Sequence, residues 1–244
     1  MASFSVVNNI AAVNAQANLA MTNVNLNRTM ARLTSGLRIN QSGDDAAGLA
    51  VANSHRSTVA VLTQGVRNAN DGLSVLQIKD GALNNISTLL DRLATLATQS
   101  ASASSTVNRA TLDAEFQDVL AEIDREANVA GLTTSGGFSV FVSSNGSNGS
   151  VGGTIGAADS AGLSIDSLDV SSASTAQTAL TTLATAVTSL GTVQASVGTI
   201  ENRLMYAVTL AQSQIVNTQA AESRIRDANI AEESSNLTRY QILT

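Results

Sequence analysis

The sequence predicts a mainly α-helical protein, a long antiparallel helical bundle or coiled coil carrying a small β-hairpin insertion. Three observations lead there. Apolar residues recur at alternating three- and four-residue steps toward both ends. Proline is absent from all 244 residues, so nothing interrupts long helices covalently. Only residues 131–174 change texture, to short β-prone runs separated by Asn-Gly and Gly-Gly steps. Aromatic residues make up 2% of the chain, so its apolar surface comes from Ala, Leu and Val, which suits helices packed at close range.

Each element follows from its own pattern. Val6, Ile10, Val13, Ala17, Ala20 and Val24 form one row, and Leu26, Met30, Leu33 and Leu37 continue it as a narrow amphipathic seam. The seam stops at Gly36, a residue suited to the left-handed conformation that ends helices. Asp44 is the expected N-cap of a second helix, since its carboxylate can accept from free amides of the next turn. That helix carries Val59, Leu62, Val66, Ala69, Leu73 and Leu76, then Ile86, Leu89, Leu93 and Leu96, as far as about Gln99. "SASASST" interrupts, and a third helix is expected around Leu112, Phe116, Val119 and Ile123. One or two hairpins fill residues 131–174.

A final helix, expected to be the longest, holds one heptad register through Leu180, Leu183, Val187, Leu190, Gln194, Val197, Glu201, Leu204, Val208, Ala211, Ile215, Thr218, Glu222 and Ile225. At the usual rise it is a rod roughly 70 Å long. Gln194, Glu201, Thr218 and Glu222 are polar seam positions: either they set register and partner choice, or the seam faces water there.

Composition closes off several kinds of chemistry. The net charge of −6 and the lack of a basic cluster argue against nucleic acid. Without cysteine there are no disulfides, thiolate metal sites or thiol nucleophiles. His55 is the only histidine and reads as a solvated polar-face residue, so neither a histidine metal cluster nor an HExxH motif exists. No GxSxG elbow or phosphate loop is present. The adjacent Asp44 and Asp45 need only a capping explanation. No enzyme, cofactor, metal or catalytic residue is assigned. No window is apolar enough to span a membrane, and the N-terminus lacks the basic and apolar regions of a cleavable signal. Cytosol, or export by a route without such a signal, remain.

A short amphipathic helix alone in water is marginal. The first seam therefore needs partners, and two thin terminal helices bury little against each other. Other copies of the molecule are the natural cover. The candidate subunit-packing seam is Val6, Ile10, Val13, Val24, Leu26, Leu33, Leu204, Val208, Ile215 and Ile225.

The stretch "LTSGLRINQSGDDAAGLAVA", residues 33–52, resembles the signature region of bacterial flagellin. The likeness continues through "NDGLSVLQIKDGALNNISTLLDRLATLATQSA" and "AEIDREANVA". Near the other end, "ENRLMYAVTL" and "ESRIRDANIAEESSNLTRYQIL" resemble that family's C-terminal motif. The resemblance implies an inner coiled-coil filament-core domain from residues 1–43 and 227–244, and an outer helical-bundle domain from 44–226 with its variable segment at 131–174. Gly36, Arg38, Asn40, Gly43, Asp44 and Asp45 would form the spoke between them, with Asp44 or Asp45 starting the next helix.

By the same resemblance the function is a structural subunit that polymerises into the flagellar filament for swimming motility. The alternatives are a hook–filament junction protein, or a secreted adhesin or immune-receptor ligand acting as a monomer. Implied partners are other copies, an export chaperone covering the C-terminal helix, the filament cap, and the vertebrate Toll-like flagellin receptor. Arg92, Leu96, Gln99 and Glu115 match the family's receptor-contact motif, whereas Asp91 and Thr95 depart from its usual Gln and Glu. The implied location is the extracellular flagellum, reached without a cleavable signal.

Family members usually continue past "QIL" into a Leu-rich tail, so the C-terminal part of the inner domain is expected to be incomplete here. "GLTTSGGFSVFV" stands where a Phe-Asn-Gly step is common, and the variable segment is too short for a large outer domain. Its Ser and Thr residues suit O-glycosylation or ordinary polar loops. The Asn145 and Asn148 triplets match the N-glycosylation pattern but are equally explained as turns. Limited proteolysis of the dilute monomer is expected to cut residues 1–40 and 227–244 before the middle; uniform protection of those ends would contradict the assembly argument.

Overall fold

The structure, a computed structural model, describes residues 9–102, 108–143 and 149–244. Five helices and one hairpin follow in order: α1 Ile10–Ser35, α2 Ala46–Ala101, α3 Arg109–Val129, β1 Gly136–Phe141, β2 Ser150–Ile155, α4 Ala173–Arg226 and α5 Ile230–Leu243. Mainly helical with a small antiparallel hairpin, this is the fold class that the heptads and turn signals predict. The longest helix is α2, at 56 residues against 54 for α4, because it starts at Ala46, well before the first predicted heptad residue Val59. Short polar side chains start the helices. Asn9, Asn108 and Asn229 each accept an amide of the following turn, and Ser172 exchanges bonds with Thr175 at the head of α4.

The chain divides into two compact units, one of residues 61–213, the other of residues up to 60 together with 214–244. The division falls inside α2 and α4, so both helices contribute to both units.

In the 61–213 unit the core is aliphatic around one ring. Phe116, Leu76, Leu83, Ile86, Leu90, Leu93, Leu96, Ile123 and Leu183 are all fully buried. The seam of α4 runs through Ala176, Ala179, Leu183, Ala186, Leu190, Val193, Val197, Ile200 and Leu204. One of the two expected rows is therefore present, and the other lies one residue earlier. Ala186, Val193 and Ile200 are buried where sequence reasoning put Val187, Gln194 and Glu201. Gln194 and Glu201 sit half-buried at the edge of the seam, and Val187 is exposed.

The same displacement occurs in α2. Gly65 and Gly72 occupy seam positions between Leu62, Ala69 and Leu76, while Val66 and Leu73 are only half-buried. The hairpin explains the glycines. A Cβ on Gly65 would stand 1.8 Å from the Val142 carbonyl oxygen, and one on Gly72 would stand 2.6 Å from a Val140 methyl. The backbone just after β1 lies directly on Gly65 and a β1 side-chain methyl lies on Gly72, and only a bare Cα admits them.

A single hairpin forms, β1 pairing antiparallel with β2 from Gly136↔Ile155 to Phe141↔Ser150. Its tip, with Asn145 and Asn148, lies outside the described residues. Residues 157–171 form no strand and are tied to α3 instead. Asp124 accepts from the Ser160 amide and hydroxyl at 2.8 and 2.9 Å, and Asp113 accepts from the Val170 amide at 2.9 Å. Lys79, the chain's sole lysine, donates to the carbonyls of Ala130 and Gly131, both at 2.8 Å, and so satisfies the C-terminal end of α3. Burial of the ammonium lowers its pKa.

Gly65→Ala gains helix propensity yet drives a methyl into backbone. A net destabilisation of about 1–3 kcal/mol is expected, read as a lower urea midpoint; a midpoint at or above wild type would show that the hairpin can lift away freely.

Candidate functional site

The most informative constellation lies in the unit formed by residues up to 60 and 214 onward, where two helix breaks are bonded to each other. Gly36 ends α1 at φ 71°, with its amide on the Arg32 carbonyl at 2.8 Å. A side chain would be strained in that left-handed conformation. Residues 227–229 separate α4 from α5. Across the two breaks Leu37 and Asp227 form an antiparallel bridge. The Arg38 amide donates to the Arg226 carbonyl at 2.6 Å, and the Ala228 amide donates to the Gly36 carbonyl at 3.0 Å. The Arg38 guanidinium adds a bond to the Ile225 carbonyl at 2.9 Å. Arg38 thus holds two carbonyls that the end of α4 leaves without helical partners.

Beyond the joint, α5 packs back along α1. Arg32 Nη1 donates to Glu233 Oε1 at 3.3 Å, and Glu233 is 9% exposed. The burial of α1 marks the contact. Residues 22–33 contain the half-buried and buried positions, with Thr29 at 5%, whereas residues 10–21 are all exposed. Fourteen residues of α5 reach roughly 21 Å, which matches about that length of α1.

The loop after the joint is organised by the two aspartates, and the expected cap moves by one. Asp45 is the N-cap of α2, its Oδ1 accepting from the Gly48 amide at 2.9 Å. Asp44 faces backward, its Oδ2 accepting from the amides of Asn40 and Gln41 at 3.2 and 3.1 Å. Adjacent carboxylates cannot both reach the same helix end, so one closes the incoming loop and the other starts the outgoing helix. The Gln41 amide, then that of Asn40 and the nearby Arg32 and Arg28, hold the Asp44 carboxyl below its usual range despite some desolvation.

The six predicted spoke residues occupy this joint and loop, Gly36 and Arg38 in the bridge and Asn40, Gly43, Asp44 and Asp45 in the turn. Of the predicted seam, Val6 lies outside the described residues. Ile10, Val13 and Val24 are 72%, 63% and 51% exposed, and Leu26, Leu33, Val208, Ile215 and Ile225 are half-buried. Leu204 is different. It is fully buried within its own chain and has no surface left for a neighbour. Sequence periodicity missed the exposed apolar residues Met205, Tyr206, Leu210 and Val216, which fall outside the α4 register.

Arg92 and Glu115 bond across α2 and α3, Nε to Oε1 at 3.1 Å, both well exposed. Gln99 is exposed, but Leu96 is 1% exposed and belongs to the core, so it leaves the candidate receptor contact. His55 is half-buried, not fully solvated. Among the described residues no group of three or more metal-ligating side chains converges, and no helix is long and apolar enough to cross a membrane.

Comparison with known proteins meets this geometry at both ends. Residues 6–145 match the bacterial flagellin N-terminal helical region, and residues 180–244 match the bacterial flagellin C-terminal helical region. The chain belongs to the bacterial flagellin family. It is 32% identical to a flagellin of Halalkalibacterium halodurans over 247 residues, covering 96% of this chain and 90% of that one. Identity to the flagellar filament 33 kDa core protein of Treponema phagedenis is 33%, with 96% and 90% covered. The crystal structure of Bacillus cereus flagellin superposes with a TM-score of 0.52 at 29% identity, over 64% of this chain and 94% of that one. The bridge at Leu37 and Asp227 joins one segment from each of the two matched regions of this flagellin.

Asp44 gives the joint a pH signature. A carboxyl whose folded pKa is depressed contributes stability above its unfolded value, near 3.8, and loses it as pH falls through the folded value. Acid unfolding followed through the α1–α5 unit is therefore expected to show a loss below about pH 4 that Asp44→Asn flattens. An identical acid profile for the variant would remove Asp44 from the account.

Proposed function

We infer that the chain is a structural subunit that polymerises into the bacterial flagellar filament and so serves swimming motility. Family membership at both ends carries this reading, and the exposed apolar residues of α1 supply its physical motive. Ile10, Val13, Leu19, Met21 and Val24 are each more than 40% exposed on one helix, a surface that calls for partners. In this reading residues 1–43 and 227–244 are the filament-core part, residues 44–226 the outer part, and the bonded joint with its turn the spoke between them. Ile10, Val13, Val24, Leu26, Leu33, Val208, Ile215 and Ile225 pack against neighbouring copies.

The finer partners follow from the same reading. An export chaperone covers the apolar face of the C-terminal helix before secretion, which needs no cleavable signal, and the filament cap receives the subunit at the growing tip. The Arg92–Glu115 pair with Gln99 is the surface offered to the Toll-like flagellin receptor; an exposed guanidinium fork suits such an interface. Neither a hook–filament junction role nor a monomeric adhesin is favoured, since the family matches cover both ends of a filament protein.

Electron microscopy with sedimentation tests the reading directly. Long polymers are expected; a single ring would indicate the junction role, and persistent monomers the monomeric one. Val13→Glu is expected to reduce polymer yield by about tenfold, the equivalent of about 1.4 kcal/mol per contact, while leaving monomer helicity unchanged by circular dichroism.

A further inference from the structure

We propose that a cleft of about 310 Å³ between α1 and the turn at residues 40–44 is a socket for a carboxylate presented by a second copy of this chain. The proposal rests on the filament reading and names one contact within it.

The cleft is lined on one side by Arg28 and Arg32 and on the other by Asn40, Gln41 and Asp44. Arg28 makes no hydrogen bond or ion pair with any described residue. Arg32 engages Glu233 through Nη1 alone, and its Nε is sealed from solvent with no acceptor. A guanidinium is a planar fork made to grip carboxylate oxygens; Arg28 presents one at the exposed side of the cleft, whereas the Arg32 Nε is shut away from any incoming group. Asp44, the only carboxylate in the lining, has Oδ2 occupied by two backbone amides. With Arg32 paired to Glu233, Arg28 is the cation of the lining whose donors have no acceptor among the described residues.

Charge distribution identifies the occupant. Residues 9–43 contain three arginines and no acid. Residues 61–213 contain thirteen Asp and Glu against six Lys and Arg, while the rest of the chain has six against seven. Copies packed like against like would bring acidic surfaces together. Packing the cationic end of α1 onto an acidic region of the next copy relieves that repulsion and fixes register. Asp71, Asp91 and Asp118 are exposed on α2 and α3 and bond to nothing among the described residues. A charge pair at an interface fixes register and disfavours wrong pairings even where desolvation offsets much of its attraction.

Reciprocal charge exchange tests this on the full chain, with sedimentation equilibrium measuring self-association at low salt. Arg28→Glu should raise the concentration needed for assembly by at least about tenfold without loss of helicity. Adding Asp71→Arg, Asp91→Arg or Asp118→Arg to that variant should bring it back to within about threefold of wild type. Assembly of Arg28→Glu at the wild-type concentration overturns the socket, as does a defect that none of the three reversals lifts. A wild-type chain that stays monomeric at every concentration overturns both socket and filament reading, whereas an assembling wild type matched by Arg28→Glu overturns the socket alone.

Discussion

Much of this molecule depends on a pair of backbone hydrogen bonds between two places where helices stop. The segment after α1 and the segment after α4 each abandon helical geometry, and each would leave carbonyls and amides unsatisfied. By breaking side by side they satisfy one another, Arg38 to Arg226 and Ala228 to Gly36. The N- and C-terminal helices are thereby brought to one point and sent off together as an antiparallel pair, with Arg32 and Glu233 beside the joint. The motifs "SGLRIN" and "SRIRDANI" look independent in the sequence because they lie almost two hundred residues apart. In the fold they are two sides of one bridge.

A second constraint is the approach of a hairpin to a helix. Where the Val142 backbone and the Val140 side chain meet α2, the seam must hold glycine, and the larger apolar residues rotate to its margin. The α4 seam is displaced in the same way, with Ala186, Val193 and Ile200 buried one residue ahead of the Val187, Gln194 and Glu201 row. This resolves two of the four polar seam positions. Gln194 and Glu201 are polar because they stand at the edge of the packed face. Glu201 keeps a cost from that position: desolvation first, and then the charge of Asp80, raise its carboxyl pKa.

Electrostatics separates the two ends of the design. The 61–213 region is acidic and ties its loops to α3 through Asp113 and Asp124, so several of its carboxylates are consumed internally. Residues 9–43 are purely cationic and leave guanidinium donors free. Together with the exposed apolar residues of α1, this describes a chain whose surface is only half of an interaction. A filament supplies the other half many times over, from identical copies.

The sequence by itself determined the helical class, the hairpin, the absence of cysteine and the break at Gly36, because these follow from local rules of periodicity, propensity and turn chemistry. It also carried the family, through long motifs at both ends. Tertiary structure alone decided which of two neighbouring rows is buried, since heptads of Leu, Val and Ala tolerate a one-residue rotation until a partner backbone selects one face. It chose between Asp44 and Asp45 as helix cap, withdrew Leu96 and Leu204 into the core, and paired Leu37 with Asp227. Contacts between distant segments leave no local trace in composition or spacing, so the joint could be seen only once the chain had folded.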